Sequence, residues 1–193
     1  SPLASAALNE KMPLLLHYPD PDCIDLREAL AQKYGLKMDQ ILIGNGSTEL
    51  IHLIPRAMGI ERAIIPFPTF SEYERAVDEA GGKIDFLPLR EERLFQIDPE
   101  GIVSKLSGGA LFLCNPNNPT GQLLCKRDVA FIVEKAHARG SVVVLDEAFI
   151  DFAESESLIR EIGQHPNLIL LRSFTKFYGM PGLRIGYAVA SPM

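Results

Sequence analysis

Apolar positions along the chain recur with two periods that alternate from the amino end to the carboxyl end. Leu26, Ala29, Leu30 and Tyr34 share one face at helical spacing, with Asp20 or Asp22 as cap and Gly35 as stop. A short apolar run over 41–43 predicts a strand, after which Leu50, Ile51, Ile54 and Met58 return to the helical period. The exchange continues with a strand over 63–65, a helix opened by Ser71 and ended by Gly81-Gly82, and a strand over 83–87. A short helix over 98–106, with Pro99 near its start, leads into a strand over 110–114. Val129, Ile132, Val133 and Ala136 mark the buried stripe of a helix over 126–139 that Gly140 ends. The run Val142-Val143-Val144-Leu145 is apolar on both faces, as a central parallel strand requires. Strands over 167–171 and 184–190 close the series. Such alternation predicts an α/β fold: a mostly parallel sheet sandwiched by helices, with no repeat or linker dividing it.

Composition narrows the partners. A net charge of -6 and a pI of about 5.3 disfavour a nucleic-acid backbone or an anionic membrane. The longest apolar runs, 141–145 and 167–171, are strand-length and well short of the ~20 residues of a membrane helix. No basic-then-apolar leader is visible, so a cytoplasmic location is expected. Cys23, Cys114 and Cys125 are odd in number and form no CxxC, which reads as free thiols in a reducing compartment. His17, His52, His137 and His165 have no metal-ligand spacing, so no metal site is expected.

Ligands of parallel sheets gather beyond the carboxyl ends of the strands, and the unusual residues of this chain fall there. Ser173-Phe174-Thr175-Lys176 comes after the strand over 167–171, with Gly182-Leu183-Arg184 just beyond. A lysine so placed can form a Schiff base with an aldehyde, while the serine and arginine can hold a phosphate. Both groups on one small molecule suggest pyridoxal 5'-phosphate (PLP). The tetrapeptide also fits the SxxK of serine acyl-transferases, but their SDN and KTG partners are missing. A plain surface lysine is the third reading, although Phe174, Phe177, Tyr178 and Met180 make a poor solvated face.

Other strand ends carry their own alternatives. Gly44-Asn45-Gly46-Ser47-Thr48 joins a strand to a helix, where free N–H groups can bind an anion; equally, Ser47 or Thr48 can be an ordinary helix cap. Asn115-Pro116-Asn117-Asn118-Pro119-Thr120-Gly121 is a rigid turn that can also aim amides at a ligand. Asp146-Glu147 could hold Mg²⁺ in a P-loop protein, but GxxxxGK[ST] is lacking. Asp146 could instead face a pyridinium nitrogen, or merely act as the N-cap of the next segment. Phe70 is either a core side chain or a ring at a strand end.

The ordered set GNGSTE, PTF, NPNNPTG, DEAF, SFTK and GLRIGY resembles fold-type I PLP enzymes of the class I/II aminotransferase family, and spans nearly the whole chain. Tyr18-Pro19-Asp20, DEAF and the segment from Thr175 to Arg184 look most like the branch that decarboxylates O-phosphothreonine in cobalamin biosynthesis. The histidinol-phosphate transaminating branch is its near relative. The resemblance implies that Lys176 forms the imine and shuttles protons, that Asp146 pairs with the pyridinium nitrogen, and that Asn118 bonds the ring oxygen. Phe70 would stack on the ring. Ser47, Thr48, Ser173 and Arg184 would hold the phosphate, and Tyr18 would reach the phosphate of a neighbouring subunit. It thus implies a homodimer with shared sites acting on a small phosphorylated amino acid. Phe149 departs from the tyrosine that many aminotransferases carry, which removes one hydroxyl from the ring oxygen. Residues 1–193 read as the large cofactor-binding domain, without the family's small C-terminal domain and N-terminal arm. A non-catalytic α/β binding module is the alternative from another class.

Overall fold

Seven strands and six α-helices make up the computed structural model, which describes residues 2–192. Helix α1 (Pro2–Lys11) buries no side chain, and the 3-10 turn after it leaves Leu14, Leu15 and Leu16 exposed. Helix α2 (Ile24–Tyr34) begins after Cys23, and the Asp20 carboxylate accepts hydrogen bonds from the N–H groups of Asp22 and Ile24 at 3.0 and 2.8 Å. Of the two cap candidates, Asp20 therefore satisfies the helix start. Gly35 ends α2 in the left-handed conformation, φ 71°.

The remaining elements keep the alternation as far as the fifth strand, after which 3-10 turns take the place of α-helices. They are β1 (Ile41–Asn45), α3 (Gly46–Ala57), β2 (Arg62–Phe67), α4 (Glu72–Glu79), β3 (Lys83–Pro88), α5 (Pro99–Lys105), β4 (Gly109–Cys114), α6 (Lys126–His137), β5 (Ser141–Asp146), β6 (Leu168–Ser173) and β7 (Ile185–Ala190). Asp98 caps α5 by accepting from the Glu100 N–H at 3.1 Å. The sheet order is β1-β7-β6-β5-β4-β2-β3. Strands β6, β5, β4, β2 and β3 run parallel, while β7 lies antiparallel between β6 and β1. The sheet is thus mostly parallel, as the pattern predicts, with one reversed strand.

Period-2 alternation sorts the sheet residues into two layers. Leu111, Leu113, Val143, Leu145, Leu168, Leu170 and Val189 pack with α2, α5 and α6 on one face. Ala63, Ile65, Ala110, Phe112, Val144, Leu171 and Ala188 pack with α3 and α4 on the other. Each fully buried aliphatic side chain contributes about 1.5–3 kcal/mol, so a slip of one residue in any central strand would reverse the whole pattern. That constraint fixes which side chains at the strand ends face the α3–α4 side. Cys114, Asp146 and Ser173 are in phase with that layer, and Arg172 is out of phase with it.

Among the described residues no helix is long and apolar enough to cross a membrane. Nor does any group of three or more His, Cys, Asp or Glu side chains there suit a metal ion.

Candidate active site

A cavity opens at the carboxyl ends of β4, β5 and β6. Ser47, Thr48, Phe70, Asn118, Asp146, Ser173, Lys176 and Arg184 all line it, so the residues singled out in the sequence, other than Tyr18, come together. Tyr18 lies apart, with its residue surface 100% exposed.

Asp146 ends β5 and is 3% exposed. Its Oδ2 accepts the Tyr73 hydroxyl at 2.7 Å, and its Oδ1 accepts the Ala148 N–H at 2.9 Å. Burial raises its carboxyl above the ordinary value, opposed by these two donors and by the positive charge of Lys176. Each oxygen keeps a further lone pair, so the group can still accept from a ligand N–H. Cys114, one strand over, also lines the cavity, and burial pushes its thiol up to about 12. It is a neutral wall, not a nucleophile.

One end of the cavity is built by the start of α3. Asn45 is the cap residue and makes no side-chain cap, while its own N–H is taken by Glu49 Oε2 at 2.7 Å. Neither Ser47 nor Thr48 caps the helix; both sit in its first turn and line the cavity. The first-turn N–H groups and the positive end of the helix dipole therefore face it. Arg184 closes the same corner. A Cβ on Gly46, whose φ is +79°, would come within 2.6 Å of the Arg184 Nη2. A Cβ on Gly186 would collide with the Ser47 nitrogen, so β7 can pass directly beneath the helix start. The Arg184 guanidinium donates to the Pro181 carbonyl at 3.1 Å and has no carboxylate partner among the described residues. Ser173 Oγ lies 2.8 Å from Thr175 Oγ1 and accepts the Thr175 N–H at 3.2 Å, which orients both hydroxyls. An arginine, two hydroxyls and a helix start make a donor set suited to a phosphate.

Reversal of β7 explains why this corner exists. Its amino end meets the carboxyl end of β6, with Gly186 opposite Ser173. Arg184, in the left-handed conformation at φ 53°, is the residue just before that strand.

Lys176 lies on the connection between β6 and β7 and is exposed. The aromatic neighbours do not enclose it as the sequence suggests. Phe174 instead packs on Tyr178 and Tyr187 at the edge of the core, while Phe177 pairs with Phe152 on the exposed surface. What faces the amine is Phe149, with Nζ 5.5 Å from the ring centroid. Phe70 is half-buried at the cavity wall, edge-on to Tyr73 at 5.6 Å.

The asparagine turn divides its labour. Asn115 exchanges hydrogen bonds with the Leu124 backbone at 3.1 and 2.8 Å. Asn117 donates to the Pro68 carbonyl and to Thr120, and accepts from Thr69. Only Asn118 lines the cavity, and its amide makes no side-chain hydrogen bond among the described residues. The turn is thus both structural and site-forming. Tyr73 and Thr175, which carry no expectation of their own in the sequence, also line the cavity. Thr175 stands inside the motif beside Lys176, and the i, i+2 spacing of two hydroxyls was the available signal. Tyr73 offered only an apolar helix position.

Fold and cavity together define a class: an α/β protein that turns an amine, a buried carboxylate and an anion cradle toward one small ligand. The chain belongs to the aminotransferase class I and II family, whose model matches residues 3–193. That family uses PLP, and the donor set of this cavity fits that cofactor. The chain is 39% identical over 188 residues to the threonine-phosphate decarboxylase of Salmonella typhimurium, covering 96% of this chain and 51% of that protein. It is 37% identical over 197 residues to histidinol-phosphate aminotransferase 2 of Carboxydothermus hydrogenoformans, covering 98% and 54%. The crystal structure of histidinol-phosphate aminotransferase from Sinorhizobium meliloti in complex with PLP matches with a TM-score of 0.88 at 28% identity, over 100% of this chain and 53% of that one. The chain spans about half the length of the curated relatives it matches.

Proposed function

We propose that residues 1–193 are the large cofactor-binding domain of a PLP-dependent enzyme that decarboxylates O-phosphothreonine, a small phosphorylated amino acid. The observation that carries the PLP reading is the convergence of Lys176, Asp146 and the Arg184–α3 corner on one cavity. The substrate rests on likeness to threonine-phosphate decarboxylases. When bound, PLP supplies an electron sink for the bond broken at the substrate α-carbon.

In this reading, Lys176 would hold the cofactor aldehyde through its Nζ and would carry protons at that atom. Asp146 would face the ring nitrogen and favour its charged form. Asn118 donates its amide to the ring oxygen, and Phe70 covers one ring face. The N–H groups of Ser47 and Thr48, the Ser173 hydroxyl and the Arg184 guanidinium hold the phosphate. Tyr18, fully exposed on its own subunit, reaches the phosphate of a second copy, which makes the enzyme a homodimer with shared sites.

A second reading, amino transfer as in histidinol-phosphate aminotransferases, is favoured by relatives of nearly equal identity. Absorbance and product analysis test both. PLP added to the full chain should give a band near ~420 nm that Lys176→Ala abolishes, as a lysine-bound cofactor requires. Release of CO2 from O-phosphothreonine supports the decarboxylase. Glutamate-dependent conversion of the cofactor without CO2 supports the transaminase. No band at all would leave a non-catalytic module.

A further inference from the structure

On the sheet face opposite the cavity lies a charged cluster that the proposed chemistry does not use. Arg172 is 1% exposed. Its Nε donates to Glu147 Oε2 at 2.9 Å, and its Nη1 and Nη2 fork onto Glu154 at 2.9 and 3.2 Å. Nη2 also donates to Ser157 Oγ at 2.8 Å. Ser157 Oγ in turn donates to Glu147 Oε2 at 2.6 Å, and the Leu158 N–H reaches Glu147 Oε1 at 3.2 Å. The Tyr34 ring lies 5.7 Å from the guanidinium. Burying such a pair has a desolvation cost that its attraction barely offsets, and apolar residues would often serve stability as well. Fold stability is therefore a weak reason for it.

Its position supplies a better one. Glu147 comes directly after Asp146, and Arg172 directly before Ser173. The Glu147 N–H also donates to the Leu171 carbonyl at 2.9 Å, across the β5–β6 boundary. Arg172 Nη1 lies 3.6 Å from Asp151 Oδ1, which accepts the Tyr178 hydroxyl at 3.3 Å. Tyr178 stands two residues past Lys176, and its hydroxyl also accepts from Lys33 Nζ at 3.0 Å. One connected set of polar side chains thus touches the chain beside the carboxylate, the phosphate hydroxyl and the amine.

We infer that the Glu147–Arg172–Asp151–Tyr178 network is a positioning device, which holds Asp146, Ser173 and Lys176 in mutual register from behind the sheet. These four are positioning residues, since none lines the cavity. The inference rests on the PLP reading of the site. Misplacing a reacting group by an ångström costs up to ~10²-fold, so loosening the network should be felt in cofactor binding and in the proton equilibrium at Lys176.

The test uses the full chain with PLP, comparing Glu147→Gln, Arg172→Lys and Tyr178→Phe. PLP affinity, the pH midpoint of the ~420 nm band and Tm are measured together. Arg172→Lys keeps the charge but loses the fork, and should weaken PLP binding about tenfold or more. Glu147→Gln should move the pH midpoint. Tyr178→Phe removes only a half-buried hydroxyl, so the fold survives, and it too should move the midpoint at nearly unchanged Tm. If Tm falls in the first two variants while affinity and midpoint stay put, and Tyr178→Phe is silent, the network is only structural and the inference is overturned. Should Arg172→Lys fail to fold, Tyr178→Phe and Glu147→Gln decide. Absence of the band in the unsubstituted chain would overturn the PLP reading and this inference with it, whereas a normal band with silent variants overturns the inference alone.

Discussion

Tyr73 donates its hydroxyl to Asp146 across 2.7 Å, and both side chains are buried. The bond links α4 to the end of β5 and leaves the carboxylate one fixed orientation. Tyr73→Phe removes the oxygen without changing the ring that packs against Phe70 and Phe112. Loss of one buried hydrogen bond to a charged group costs about 1.5–3 kcal/mol. Turnover should fall roughly ten- to a hundredfold, with KM for substrate nearly unchanged. Steady-state kinetics would expose the error if KM rose instead.

Asp146→Ala takes away the carboxylate itself. The phosphate corner and Lys176 are untouched, so PLP should still bind, with affinity within about tenfold. In the proposed site, turnover should drop by at least ~10²-fold, because the cofactor's ring nitrogen would lose its counter-charge. Equal rates in variant and parent would remove Asp146 from its role.

Gly46→Ala places a methyl group against the Arg184 guanidinium at a backbone angle that side chains rarely adopt. Arg184 must then swing away from the helix start. Affinity for PLP should weaken about tenfold or more, while pyridoxal, which lacks the phosphate, should bind as before. Equal losses for both ligands would argue against a phosphate corner.

Glu147 supplies a pH dependence. Burial pushes its carboxyl from 4.5 up to about 7, against the pull of Arg172, Ser157 and the Leu158 N–H. A carboxyl raised in the folded state binds its proton more tightly there than in the unfolded chain. Its contribution to stability is therefore most favourable below about 4.5 and declines as pH rises through about 7. Glu147→Gln cannot titrate, so its Tm should fall less than the parent's between pH 5 and pH 8, on the order of the window set by that shift. Parallel Tm curves would show that Glu147 keeps an ordinary carboxylate value in the fold.

Most of the sheet was legible because burial imposes a strict period on it. Strands over 110–114 and 142–145 lie within one residue of β4 and β5, since Phe112, Leu113, Val143 and Val144 are all buried between layers. Direction was not legible. Tyr187 and Val189 alternate alike in either sense, and only pairing with β1 and β6 reverses β7. The motif residues of the cavity were readable because their types are unusual at strand ends. Tyr73 was not, because an aromatic on a helix stripe reads as core, and its polar partner is 73 residues away. The partition among Asn115, Asn117 and Asn118 likewise depends on backbone partners that only the folded turn brings near. The 3-10 turns Ile150–Glu156 and Ile159–Gln164 carry too short a pattern for periodicity to register.

The reversed strand has a consequence for motion. Ser173, Thr175, Lys176 and Arg184 all belong to one stretch, the end of β6, the connection and the residue before β7. The amine and the Ser173–Arg184 side of the anion corner are therefore carried by a single hairpin, which faces the start of α3. Such supersecondary units open cooperatively. An opening of that hairpin would carry Lys176 and Arg184 away from the start of α3 together, and should be visible as a shared hydrogen-exchange rate across it.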